Sequence, residues 1–146
     1  MNIRVMNMED YDSVYALWMS CKGMGLNDVD DSYEGIERFL NRNPNTCFVC
    51  EMDGEIAGVI MAGHDGRRGW IYHTAVREEY RHQGIADEMV KTVISAMKKE
   101  GITKLALVVF ERNAAGNAFW EKMGFTVRND LVYRNLALKE MERYDN

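Results

Sequence analysis

The chain reads as an α+β protein, a mixed sheet of about seven strands with helices on both faces, and three observations predict this. Three apolar runs, residues 46–52, 55–63 and 70–76, are joined by short turns, the pattern of an antiparallel meander. A long helical pattern over 84–100 leads into a continuous apolar run at 104–110. Strand, helix and strand in that order make a right-handed crossover, so the flanking strands run parallel. Further helical patterns lie before and after this unit.

Ile3-Arg4-Val5-Met6 is the first strand. Asn7 is placed to cap a helix, with Asp10 at the third helical position. Tyr11, Val14, Tyr15, Trp18 and Cys21 follow at helical spacing and give that helix one apolar face, which Gly23-Met24-Gly25 ends. Residues 26–31 form an acidic loop. A second helix over 32–41 carries Ile36, Phe39 and Leu40 on one side and ends before Pro44. Asp53-Gly54 is a hairpin signal between the first two meander strands, and residues 64–69 turn into the third. Residues 77–83 are a charged loop. The long helix repeats Ala86, Met89, Val90, Val93 and Met97 on one face, with Gly101 as its C-terminal cap. The run at 104–110 is apolar throughout, as in a strand covered on both faces. A helix over 113–123 stops at Gly124, and two short strands near 125–128 and 131–138 close the chain.

Composition excludes several classes. With 146 residues and 47% hydrophobic content, the chain predicts one domain, 1–146, with one sizeable core. Eighteen Lys plus Arg against 23 Asp plus Glu leave a net charge of −5, a field that repels phosphate backbones. Nucleic acid is not an expected partner, and neither is a membrane, since no run approaches the ~18 apolar residues of a span. With no signal segment at the start, a cytoplasmic location is expected. Cys47 and Cys50 lie in one apolar strand run, three residues apart and therefore on opposite faces, so they share no metal; buried, reduced thiols and no metal site are expected.

The segment Arg81-His82-Gln83-Gly84-Ile85-Ala86 follows a strand and opens the long helix. At a helix N-terminus the first N–H groups lack partners and the macrodipole is positive, which favours an anion. Gly84 lets a phosphate approach, Ala86 keeps the first turn slim, and Arg81 can add a charge-assisted bond. A structural loop with a glycine for close packing is the other reading. A G-x-G-x-x-G dinucleotide fingerprint is absent.

This segment resembles the R/Q-x-x-G-x-G/A motif of the GNAT (GCN5-related N-acetyltransferase) superfamily. Asn113-Ala114-Ala115-Gly116-Asn117-Ala118-Phe119-Trp120-Glu121-Lys122-Met123-Gly124-Phe125 resembles its second signature, N-x-x-A-x-x-L-Y-x-x-x-G-F. The order and spacing of the elements agree over essentially the whole chain. The look is that of small bacterial members, including ribosomal-protein alanine acetyltransferases and YpeA-like proteins. The resemblance implies that the chain binds acetyl-CoA as acetyl donor, without a metal, between central strands that splay. The pantetheine arm is expected along Thr74, Ala75 and Val76, like a short added strand. Arg81, His82, Gln83, Gly84, Ile85 and Ala86 are expected to cradle the pyrophosphate. Asn113, with Gly116, is expected to hold the pantetheine or cap the last helix, and Phe119 and Trp120 to face the arm near the sulfur. The implied acceptor is an amine, on a small molecule, a peptide N-terminus or a lysine, and the family pattern allows a homodimer.

Transfer from a thioester to an amine requires a neutral amine, a stabilised oxyanion and a proton for the departing thiolate. A backbone N–H near Val76 is the natural oxyanion donor. Related enzymes often take the base from a glutamate on either parallel strand; here those positions are apolar or aromatic. Tyr72 and His73 are the nearest polar side chains, and regular strand alternation points them to opposite faces, so one at most reaches the acceptor. Imidazole is suited to proton exchange near neutral pH; a histidine buried against a helix is the alternative reading of His73. Trp120 stands where the family has tyrosine, and an indole N–H does not titrate. Tyr133, on the expected last strand, is the candidate replacement acid or a packing residue, and water can also protonate the thiolate. Asp28, Asp30, Asp31 and Glu34 either attract a cationic acceptor or form a solvated loop with Asp31 or Ser32 as a helix cap. An N-acetyltransferase is the leading reading. A CoA-binding module with little or no activity is the other, because of Trp120 and the missing glutamate.

Overall fold

The computed structural model describes residues 1–144. Its elements are β1 (Asn2–Val5), α1 (Tyr11–Ser20), β2 (Leu26–Asn27), α2 (Tyr33–Arg42), β3 (Phe48–Met52), β4 (Glu55–His64), β5 (Gly69–Val76), α3 (Ile85–Lys99), β6 (Leu105–Ala106), α4 (Ala114–Lys122) and β7 (Arg143–Tyr144). The seven strands form a five-stranded sheet, order β1-β3-β4-β5-β6, and a two-stranded ladder of β2 with β7. All pairs in the larger sheet are antiparallel except β5 with β6, which is parallel. The meander and the crossover are thus as the sequence predicts.

Helices cover both faces. Val14, Leu17 and Trp18 of α1 and Ile36 and Leu40 of α2 pack with Val49, Val59, Met61 and Ala75 on one side. Met89, Val90, Val93 and Met97 of α3 pack with Ile60, Ala62 and Ile71 on the other. Each fully buried large side chain contributes roughly 1.5–3 kcal/mol, so the sheet is fixed strongly between its two layers. Cys47 and Cys50, both fully buried, fall on opposite faces as strand alternation requires. Burial pushes the Cys47 thiol up to about 12, which keeps it protonated.

The N-terminal cap is more compact than the expected single helix. Asn7 caps a 3-10 turn over Met8–Asp10, and α1 starts at Tyr11. Asp10 returns the bond by accepting the Asn7 N–H at 3.0 Å, and it also takes two bonds from Arg4 at 2.7 and 2.9 Å. Ser32, not Asp31, caps α2 by accepting the Gly35 N–H at 3.1 Å.

The C-terminal third differs from the sequence expectation. The parallel strand is limited to two residues, and 125–128 and 131–138 form no strand. Val132, Leu136 and Leu138 are exposed, although their alternation suits a half-buried strand. Strand propensity expresses itself only where a neighbour offers a ladder. The short β6 offers almost none, so the chain continues to Arg143 and Tyr144 before it pairs, with Asn27 and Leu26.

Candidate active site

The site begins with an irregularity in β5. Ile60 of β4 opposes Thr74 and Ala62 opposes Ile71, so Met61 alone stands against both Tyr72 and His73. This is a β-bulge, and it cancels one step of alternation. His73 packs edge-on against Trp18 of α1, with ring centroids 4.9 Å apart, and Tyr72 packs edge-on against Phe39 of α2 at 5.5 Å. Both side chains therefore face the α1/α2 layer. The expectation that they point to opposite faces is corrected by the bulge.

Beyond the bulge, β5 loses its parallel neighbour. The β5–β6 ladder contains only Gly69 opposite Leu105 and Trp70 opposite Ala106. From residue 71 to 76 that edge of β5 meets no strand, so the two strands splay where Thr74, Ala75 and Val76 lie. Phe110, past the divergence, lies within 3.9 Å of the position a Cβ on Gly23 would take.

The unpaired edge runs into the turn before α3. His82 and Gly84 both have positive φ, at 65° and 82°, and frame Gln83. Among the described residues no protein acceptor takes the N–H groups of residues 82–87; the first backbone bond of the helix start is Glu88 N–H to Gly84 O, at 3.1 Å. Alternating left-handed residues that gather free amides at a helix N-terminus form an anion-binding nest. A Cβ on Gly84 would meet nothing within 4 Å, so the space over the turn is open. Residues 81–84 are exposed, Ala86 is half-buried, and Ile85 is buried in the α3 layer. Arg81 is tethered: Nε donates to Val76 O at 3.1 Å, and Nη2 lies 3.7 Å from Cys21 Sγ. A free-amide nest continuous with an unpaired strand edge fits a long anionic ligand that carries amides.

On the α1/α2 face, Nε2 of His73 lies 2.7 Å from Oδ1 of Asp31. Asp31 Oδ2 accepts the Asn27 N–H at 2.9 Å, and its carbonyl accepts the Tyr11 O–H at 2.7 Å. Tyr72 is 49% exposed; burial of its ring first, then nearby Tyr133 and Asp30, hold its phenol above the ordinary tyrosine range. It is thus a protonated O–H donor at neutral pH. Tyr133 is itself exposed and lies on no strand, a correction to its expected setting.

On α4, Asn113 caps the helix, its Oδ1 accepting the Gly116 N–H at 2.9 Å. A Cβ at Gly116 would come within 2.5 Å of Asn113 Nδ2, so the cap as it stands packs tightly over that position. Trp120 stacks edge-on between Phe119 and Phe125, at 4.9 and 5.2 Å, and all three pack on the α3 layer.

Sequence reasoning singled out residues 81–86 and His73 as candidates but missed the Asp31 partner, the bulge and the Trp18 wall. Asn27 and Asp31 do read as turn formers. The closure of Asp31 onto His73, 42 positions away, depends on the β5 bulge, which has no sequence signature here.

Comparison with known proteins gives the family and the fold. The model of the acetyltransferase (GNAT) family matches residues 11–125. A curated acetyltransferase from Sodalis glossinidius is 33% identical over 144 residues, covering 99% of this chain and all of its own. Among solved structures, Ard1 from Thermoplasma volcanium aligns with a TM-score of 0.78 at 20% identity, over 87% of this chain and 83% of its own. The PaiA N-acetyltransferase from Thermoplasma acidophilum, solved with coenzyme A, aligns at 0.70 and 19%, over 88% and 91%.

Proposed function

The chain belongs to the GNAT acetyltransferase family, and on that premise we propose that this acetyltransferase moves the acetyl group of acetyl-CoA to an amine at the β5 bulge. Acetyl-CoA supplies an activated acyl group as a thioester. The free amides at residues 82–86, with Arg81, hold its pyrophosphate. The open edge of Thr74, Ala75 and Val76 takes the pantetheine amides in strand fashion and offers N–H groups to a carbonyl oxygen. Asn113, Gly116, Phe119 and Trp120 wall the arm.

His73 takes the proton of the acceptor amine at Nδ1, the ring nitrogen left without a partner among the described residues. Tyr72, brought to the same face by the bulge, gives a proton from its phenol. His73 thereby fills the place of the missing glutamate, and Tyr72 that of the tyrosine replaced by Trp120. This speaks for a working enzyme over a binding module.

The observation that carries the reading is the unpaired β5 edge, which contains His73 and leads on to the free-amide turn. Thiol release from acetyl-CoA, measured with a panel of small amines, peptide N-termini and lysine peptides, tests it. Amine-dependent release with at least one class is the expected result. Tight acetyl-CoA binding without release for any class would return the chain to the binding-module reading.

A further inference from the structure

A buried, hydrogen-bonded carboxylate is a poor device for stability, because apolar residues of similar volume often do as well. Asp31 makes such a bond with His73, with side-chain exposures of 5% and 15%. The structure holds Asp31 from several sides. Its Oδ2 accepts the Asn27 amide, and its carbonyl is bonded by Tyr11. Asn27 Oδ1 in turn accepts the amides of Val29 and Asp30 at 3.0 and 2.7 Å, so the loop is knotted around the carboxylate. Ser32 closes the loop by donating to Val29 O at 2.8 Å and capping α2. Trp18, fully buried, stands against the imidazole at an interplanar angle of 71° and blocks that side of the ring. Its Nε1 has no acceptor among the described residues.

Resting on the acetyl-transfer reading above, we infer that Asp31 is the positioning residue of the base: it accepts the Nε2–H of His73 and so fixes the tautomer with a bare Nδ1. In the transfer the acceptor ammonium loses a proton to Nδ1. The imidazole becomes an imidazolium with both nitrogens protonated. The Nε2–H to Oδ1 bond becomes charge-assisted at that moment, and the proton later leaves Nδ1 to water. Asp31 touches neither substrate; it acts through His73.

Asp31→Asn separates this role from a structural one. The substitution is isosteric, and an asparagine can keep the bond from the Asn27 amide. Its NH2 would then donate to Nε2, which forces the proton onto Nδ1 and disables the base. Asp31→Ala removes the preference without reversing it. The test combines two measurements on the folded full-length protein. Long-range ¹H–¹⁵N correlation spectra at a pH where imidazole is neutral, with His73 assigned through His73→Gln, report the tautomer with no substrate present. Thiol release from acetyl-CoA with the best amine of the panel reports turnover.

The expected result is an Nε2–H tautomer in the wild type and an Nδ1–H tautomer in Asp31→Asn. Asp31→Asn should lose about 100-fold or more in kcat, with KM for acetyl-CoA within about twofold, and should be worse than Asp31→Ala. A wild-type Nδ1–H tautomer, or unchanged kcat in Asp31→Asn, would overturn the inference. So would a greater loss in Asp31→Ala than in Asp31→Asn, the order expected of a purely structural carboxylate. If no amine is acetylated, the transfer reading fails on its own, while the spectra still decide whether Asp31 sets the tautomer.

Discussion

Tyr72 and His73, neighbours in the chain, lie on one face of the sheet because together they oppose the single residue Met61. A regular strand would have divided them between the two layers. The bulge therefore places a phenol and an imidazole side by side where β5 loses its partner strand.

The phenol gives the first prediction. Its proton is held above the ordinary tyrosine range, by burial first and then by Tyr133 and Asp30, so the donor form persists to higher pH. The wild type should keep its activity up to about pH 10, the range of a free phenol, and decline only above it. Tyr72→Phe should lose roughly 10-fold or more in kcat and lack this alkaline decline. A pH–rate profile of both proteins checks this, and superimposable profiles would remove Tyr72 from the chemistry.

Gly84 gives the second. Its φ of 82° makes any side chain strained, while nothing fills the space before it. Gly84→Ala should cost about 1–2 kcal/mol of stability with a modest loss of affinity. Gly84→Glu should add a negative charge at the cradle and weaken acetyl-CoA binding by more than tenfold, about 1.4 kcal/mol. Calorimetry on the two folded variants compares them; equal affinities would move the pyrophosphate elsewhere.

Trp120 is held by packing between Phe119 and Phe125. Trp120→Phe should keep most of kcat, since no titrating group is lost, and Trp120→Ala should weaken acetyl-CoA binding by removing an apolar wall. A drop in kcat of ~10²-fold in Trp120→Phe with intact affinity would instead make the indole N–H a participant.

Stability at low pH should depend on Asp10. Burial raises its carboxyl, but the Arg4 bonds and the Asn7 amide outweigh this and hold it below the usual 3.8. A depressed carboxylate stabilises the fold above its unfolded value, and that contribution disappears as pH falls through the folded one. Asp10→Asn should cost about 2–4 kcal/mol at pH 7 and flatten the loss of stability below pH 3.8. Urea unfolding against pH measures both.

Much of this was legible in the residues because it is local. The meander follows from Asp53-Gly54 and apolar runs, α3 from its 3.6-residue repeat, and the open turn before it from a glycine at a helix start. What escaped is set by distant pairing. The alternation at 131–138 predicts a strand, but a strand exists only where a neighbour accepts it, and β6 is two residues long. Asp31 reads as a loop acid until the β5 bulge turns His73 toward it. Asn113 offered two roles, and the described geometry shows the cap.

The central claim is that His73 takes the acceptor's proton at the β5 splay. Its most direct test is steady-state thiol release from acetyl-CoA by His73→Gln, beside the wild type, with a primary amine held mostly protonated and then mostly neutral. Glutamine can still donate to Asp31, so the fold and the acetyl-CoA affinity should persist. The account predicts a fall in kcat of about 100-fold or more with the protonated amine and a substantial recovery when the amine is supplied neutral. Equal rates for the two proteins with the protonated amine would contradict it.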